Sequence, residues 1–226
     1  MIIPTLREYP WWPGRSFYDK PINLDITNKC PLQCPACMRN KGNFYSRIKH
    51  KYKEMSIEDF QKILDTFSYI EFCGQQSDPL AHKHFIKFVK MAYSHKLDVH
   101  TAASHRKEPF YEEAYEVSGF DTTWIFGLDG LPEESHKYRI NQDGVHLYEM
   151  MKLGANKGCN IVWQYIIFNY NQDHIEQARQ MASDEGMEFK LSKSSRWETK
   201  PSKPRKGLPN QGDTMRLYKP RDEFCA

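Results

Sequence analysis

Six strand-like runs alternate with five helical segments between residues 21 and 192, and this alternation predicts an α/β fold. A parallel sheet with right-handed crossovers is the expected product of such a pattern. The length sharpens the prediction. A chain of 226 residues suffices for one core but falls short of the eight units of a closed barrel. The fold class is therefore a partial (β/α)6 barrel of parallel strands with outer helices, and a doubly wound sheet fits the same count. In either fold, chemistry gathers at the C-terminal ends of the strands.

The elements follow in order. Residues 21–26 alternate Ile22, Leu24 and Ile26 as a strand. Ser56 with Asp59 three residues on opens a helix carrying Ile57, Phe60, Ile63, Leu64 and Phe67 at helical spacing. Residues 69–72 form a short strand that ends at Cys73-Gly74. Residues 79–95 read as one helix with Phe85, Phe88, Val89 and Ala92 on a face, followed by a strand at 97–101 and a helix at 108–117. A strand at 123–126 precedes a helix at 145–157 that stops at Gly158. The run 160–168, with Ile161, Val162, Ile166 and Ile167, has the character of a buried strand. Asp173 caps a helix to Glu185, Gly186 stops it, and 188–191 form the last strand.

Composition excludes several classes. Thirty-two basic against 29 acidic residues give a net charge of +3, so the chain as a whole is no polyelectrolyte. No apolar run is long enough to span a bilayer. The first 20 residues mix Arg7, Glu8 and Arg15 with prolines and tryptophans and lack the apolar stretch of a secretory signal. A cytoplasmic location is the expectation. Residues 193–226 hold nine basic and four acidic side chains, so a basic, Pro-containing tail follows a slightly acidic core. The expected organisation is an aromatic N-terminal extension (1–20), a catalytic core (21–192) and this tail (193–226), read as loop or disordered.

Six cysteines in a reducing compartment are more readily ligands than disulfides. Cys30, Cys34 and Cys37 form C-x3-C-x2-C directly after the first strand. Three thiolates on one loop can grip three corners of a cubane, whereas a [4Fe–4S] cluster ordinarily takes four. One iron is then left open to a substrate or cofactor. Zinc is the competing reading, but it favours C-x2-C pairs with a second pair downstream, and the sequence has none. This spacing, in a six-fold βα chain, resembles the radical S-adenosylmethionine (radical SAM) superfamily. Its motifs are nearest to the SPASM-type, peptide-modifying branch. The resemblance implies a [4Fe–4S] cluster on the three cysteines and SAM chelated at the open iron. It further implies reductive cleavage of SAM to a 5′-deoxyadenosyl radical and hydrogen abstraction from a substrate, with an external one-electron reductant. Ala36 departs from the pattern, because the residue before the third cysteine is often aromatic there.

The resemblance extends to other strand ends. Gly74, Gln75, Gln76 and Asp78 stand where a Gly-rich segment with an acid holds the SAM ammonium, Asp78 being the only carboxylate present. An ordinary strand-to-helix turn is the alternative for this stretch. Ser104 follows the third strand, where the family lines its site. Gly127 and Asp129, followed by Tyr138-Arg139, resemble Ser-x-Asp-Gly…Tyr-Arg, with Arg139 expected on the SAM carboxylate through two parallel hydrogen bonds. Gly127 replaces the serine, so a ribose contact is lost or moves to another group. Gln164 lies in an apolar strand and needs a hydrogen-bond partner there, either the cofactor or the core. Asn171 is a candidate helix cap. Only Cys225 lies after the core, so an auxiliary-cluster module is not expected within these residues.

The SPASM-like motifs imply a peptide or protein substrate. Basic residues after the cysteines (Arg39, Lys41, Arg47, Lys49, Lys51, Lys53) and the tail support two competing readings. One is a radical enzyme acting on RNA, the other a non-enzymatic metal-binding module for nucleic acid. Cys73 reads as packing, and Cys159 as a residue without function ahead of a strand.

Overall fold

A computed structural model describes residues 20–37, 39, 54–73 and 77–194. The expected N-terminal extension, nearly all of the tail, the basic loop beyond Arg39, and Gly74, Gln75 and Gln76 lie outside the described residues. Six parallel strands form one open sheet in sequential order: β1 (Ile22–Leu24), β2 (Tyr69–Phe72), β3 (Lys96–Thr101), β4 (Thr122–Gly127), β5 (Asn160–Ile166) and β6 (Glu188–Ser192). Five helices connect them: α1 (Ile57–Leu64), α2 (Phe85–Met91), α3 (Glu108–Glu116), α4 (Gly144–Asn156) and α5 (Ile175–Asp184). None is long and apolar enough to cross a membrane.

Most elements fall where the residue pattern puts them. Ser56 caps α1 by accepting the Asp59 N–H, and Asp143 caps α4 by accepting the His146 N–H. Two helices differ. The run 79–95 divides into a 3₁₀ turn (Pro79–Ala81) and α2, because His82 takes an extended ψ of 134°. Its ring holds that break: Nε2 lies 3.1 Å from the Met55 carbonyl, and Nδ1 accepts the His84 N–H. At the other site, a 3₁₀ turn (Gln172–His174) precedes α5, so neither Asp173 nor Asn171 caps that helix through its side chain. Asn171 turns back instead, accepting from the Phe168 N–H and donating to the Ile166 carbonyl.

The two faces of the sheet differ in chemistry. Ile70, Phe72, Val99, Trp124, Phe126, Trp163 and Tyr165 face the helices and meet Phe60, Phe85, Phe88, Tyr111 and Tyr115 in one aromatic-rich core. Each such buried ring stabilises the fold by about 2–3 kcal/mol. Gly154 lets α4 approach β5, since a Cβ there would sit 2.7 Å from Ile161 Cδ1. The alternate residues line the inner face, and many are polar. His100 Nε2 lies 2.8 Å from Glu71 Oε1, and the Tyr69 hydroxyl donates to Asp98 at 2.6 Å.

Candidate active site

The site gathers where β1 to β5 end. After β1 the chain enters the loop with Cys30, Cys34 and Cys37, all half-buried thiols outside any disulfide. Burial first, then the Asp78 charge, pushes the Cys30 thiol up to about 11. Burial likewise pushes Cys34 up to about 12, opposed by the Arg139 guanidinium. Cys30 and Cys37 both act on Cys34, so the three sulfurs share one electrostatic neighbourhood. Among the described residues, no three His, Cys, Asp or Glu side chains are gathered as tightly as the ligands of a single ion. Three thiols on one short loop suit a body with one thiolate per iron, and iron binding would supply what deprotonation lacks in this buried setting.

Aromatic residues from elsewhere in the chain back the loop. Ala36 is fully buried against Tyr138 and Phe168, whose rings lie 4.3 Å apart, with Cys34 and Tyr170 packed on the same cluster. Packing that a bulky residue at 36 would provide therefore comes from the β4–α4 connection and the β5 exit.

Asp78, after β2, is fully occupied by protein donors. Its Oδ1 accepts from Leu80 N at 3.1 Å, and its Oδ2 accepts from Ala102 N at 3.0 Å and Ala103 N at 3.1 Å. Thr101 Oγ1 lies 3.0 and 2.9 Å from the two oxygens. Burial raises this carboxyl, and these donors oppose the rise. Such a set fills the roughly four lone-pair positions of a carboxylate. Asp78 thus latches the β2 exit to the β3 exit. Ser104 accepts the Asp143 N–H at 2.7 Å and so joins the β3 exit to the start of α4.

Asp129, after β4, is fully buried and pairs with a charge. Its Oδ1 accepts the Ile166 N–H at 2.9 Å, and Arg139 Nε lies 2.7 Å from Oδ2. The Nε–H is not aimed at Oδ2, and both atoms are buried without a hydrogen bond. This is an ion pair by contact. Against the penalty of burial, Asp129 and Cys34 hold Arg139 charged. The guanidinium lies over Gly127, where a Cβ would sit 2.6 Å from Nη2. Gly127 is therefore the room that Arg139 occupies. Arg139 itself is shared between Asp129 and the cysteine loop.

Gln164 pairs with Gly127 in the sheet, and its Nε2 reaches Ser192 Oγ at 3.4 Å. Gln142 carries no motif and was not anticipated. Its Nε2 donates to the Ala102 carbonyl at 2.6 Å and the Gly127 carbonyl at 2.9 Å, spanning the gap where β3 and β4 part. Its Oε1 is buried without a partner.

Neither a family model nor a curated protein matches the sequence. Solved structures do match. Streptococcus suis SuiB bound to S-adenosylmethionine superposes with a TM-score of 0.65 at 14% identity, over 91% of this chain and 47% of SuiB. SuiB bound to its precursor peptide SuiA gives 0.63 at 13% identity, over 78% and 40%. Methylornithine synthase (PylB) gives 0.56 at 13% identity, over 76% and 52%. The chain shares the fold of these proteins over most of its length. It spans about half the length of these proteins.

Proposed function

We propose that this protein is a radical SAM enzyme that acts on a peptide or protein. The observation that carries this reading is the three-cysteine loop at the C-terminal edge of a radical SAM fold, with Arg139 beside Cys34. Cys30, Cys34 and Cys37 would hold a [4Fe–4S] cluster. With SAM bound, such a cluster would pass one electron from an external reductant to the sulfonium and so supply the radical for hydrogen abstraction from the substrate.

The chain's own residues do the rest. Arg139 places a fixed positive charge beside the cysteine loop, suited to the SAM carboxylate, and Asp129 holds it there. Because Asp129 already takes part of that charge, Arg139 would meet SAM through its terminal nitrogens only. Tyr138, Phe168 and Tyr170 keep an apolar wall behind Cys34, which excludes water from the loop. Asp78 fixes the β2 and β3 exits, so the SAM ammonium would take its acceptors from other groups. A peptide substrate is supported by the SPASM-like residues around Asp129 and Arg139 and by the likeness to SuiB, which binds a precursor peptide. The core, its two extensions, an external reductant and a cytoplasmic setting belong to the same reading.

Anaerobic reconstitution tests it. The expected result is about four irons per chain and release of 5′-deoxyadenosine from SAM under a strong reductant. If a Cys30→Ala/Cys34→Ala/Cys37→Ala variant still cleaves SAM, the reading is wrong.

A further inference from the structure

Residues 139–143, between β4 and α4, cross the mouth of the sheet, and each of them is tied to something on the other side. Arg139 pairs with Asp129. The Ile140 carbonyl accepts the Gln33 N–H at 3.0 Å, and Asn141 Nδ2 donates to the Pro31 carbonyl at 3.2 Å. Gln142 clamps the Ala102 and Gly127 carbonyls, and the Asp143 N–H ends on Ser104. Pro31 and Gln33 both lie in the three-residue interval between Cys30 and Cys34. The segment therefore touches the cysteine loop in its middle and the β3 and β4 exits at its far end.

Asn141 carries a second signal. Its φ of 73° makes it the one non-glycine residue in the left-handed region among the described residues. Asparagine tolerates that conformation better than most residues. Here the conformation turns an exposed side chain toward a carbonyl 110 positions away in sequence.

We propose that residues 139–143 form a strap that sets the position of the cysteine loop, with Asn141 and Gln142 as its positioning residues. Asn141 and the Ile140 carbonyl fix the Cys30–Cys34 interval. Gln142 anchors the strap to the strand exits without touching the loop. The three thiols are thereby held in register with Gly127 and Asp129, although β1 itself is only three residues long. In its bearing on iron this inference rests on the proposed cluster. In its bearing on the loop it stands alone.

The test uses the metal-free full chain first. Alkylation of Cys30, Cys34 and Cys37 by iodoacetamide is followed by mass spectrometry, with Cys159, which lies between α4 and β5, as internal control. Asn141→Gly keeps the left-handed backbone and removes the amide, and Gln142→Met removes the anchor. Each should speed alkylation of the loop cysteines by about tenfold, the effect of losing one or two hydrogen bonds that oppose local opening, and leave Cys159 unchanged. Asn141→Ala, which adds backbone strain, should exceed Asn141→Gly. Loop labelling at the wild-type rate in Asn141→Gly overturns the strap, and so does an equal acceleration at Cys159. A second arm measures iron loss to a chelator after reconstitution, which should be faster in both variants. If the wild-type chain takes up no iron, the cluster reading falls, and the alkylation result still decides the strap.

Discussion

Asp78 and Asp129 are both buried aspartates at strand exits of the same sheet, and they are satisfied in opposite ways. Asp78 is surrounded by uncharged donors from Leu80, Thr101, Ala102 and Ala103. Asp129 takes one backbone N–H and a guanidinium. A carboxylate saturated by neutral groups of its own chain is a latch, with nothing left to offer a ligand. A carboxylate paired with an arginine fixes a charge, here with the terminal nitrogens lying over Gly127. The difference distinguishes two kinds of buried carboxylate within one ring of strand exits that looks uniform along the chain.

Three substitutions probe that difference. The largest effect on stability is expected for Asp78→Ala, which strands three buried N–H groups and a hydroxyl. A loss of about 3–5 kcal/mol in chemical denaturation is expected. A loss under about 1 kcal/mol would show that the latch is dispensable. Asp129→Asn keeps an acceptor for the Ile166 N–H and leaves Arg139 without its counter-charge. It should cost about 2 kcal/mol, because the arginine retains some solvent contact. Its binding phenotype should be larger than that of any Asp78 variant that folds, measured as SAM affinity of the reconstituted chain by equilibrium dialysis. Gly127→Ala is expected to change stability least, by under about 1 kcal/mol, since its Cβ meets the movable end of Arg139 and not backbone. It should nonetheless weaken SAM binding about tenfold by displacing the guanidinium. Unchanged binding in Gly127→Ala would remove Arg139 from the site.

The residues that make these two aspartates differ were unequally legible. The six strands and the cysteine spacing could be read directly, because period-two and period-3.6 patterns and a three-thiol loop are local signals. Asp78 stood out as a lone carboxylate, yet beyond the local Leu80 N–H its donors come from Thr101, Ala102 and Ala103 at the β3 exit, more than 20 positions on, and no local pattern announces such a partnership. Gly127 read as a missing serine. Only the fold shows that its empty side-chain position is filled by Arg139. Gln142 and Asn141 gave no cue, since their partners Ala102, Gly127 and Pro31 offer backbone carbonyls, which every residue has. His82 broke a predicted helix for a related reason: its ring bonds the Met55 carbonyl and the His84 N–H, and this outweighs the helical spacing of its neighbours.

The polar inner face, with its Glu71–His100 and Tyr69–Asp98 contacts, has an evolutionary consequence. The large buried rings pack on the opposite side of the sheet, so the inner side chains carry less of the apolar burial. Exchanges there cost little cohesion and can be accepted one at a time. A scaffold divided in this way can change what it admits while keeping the loop, the latch and the strap intact.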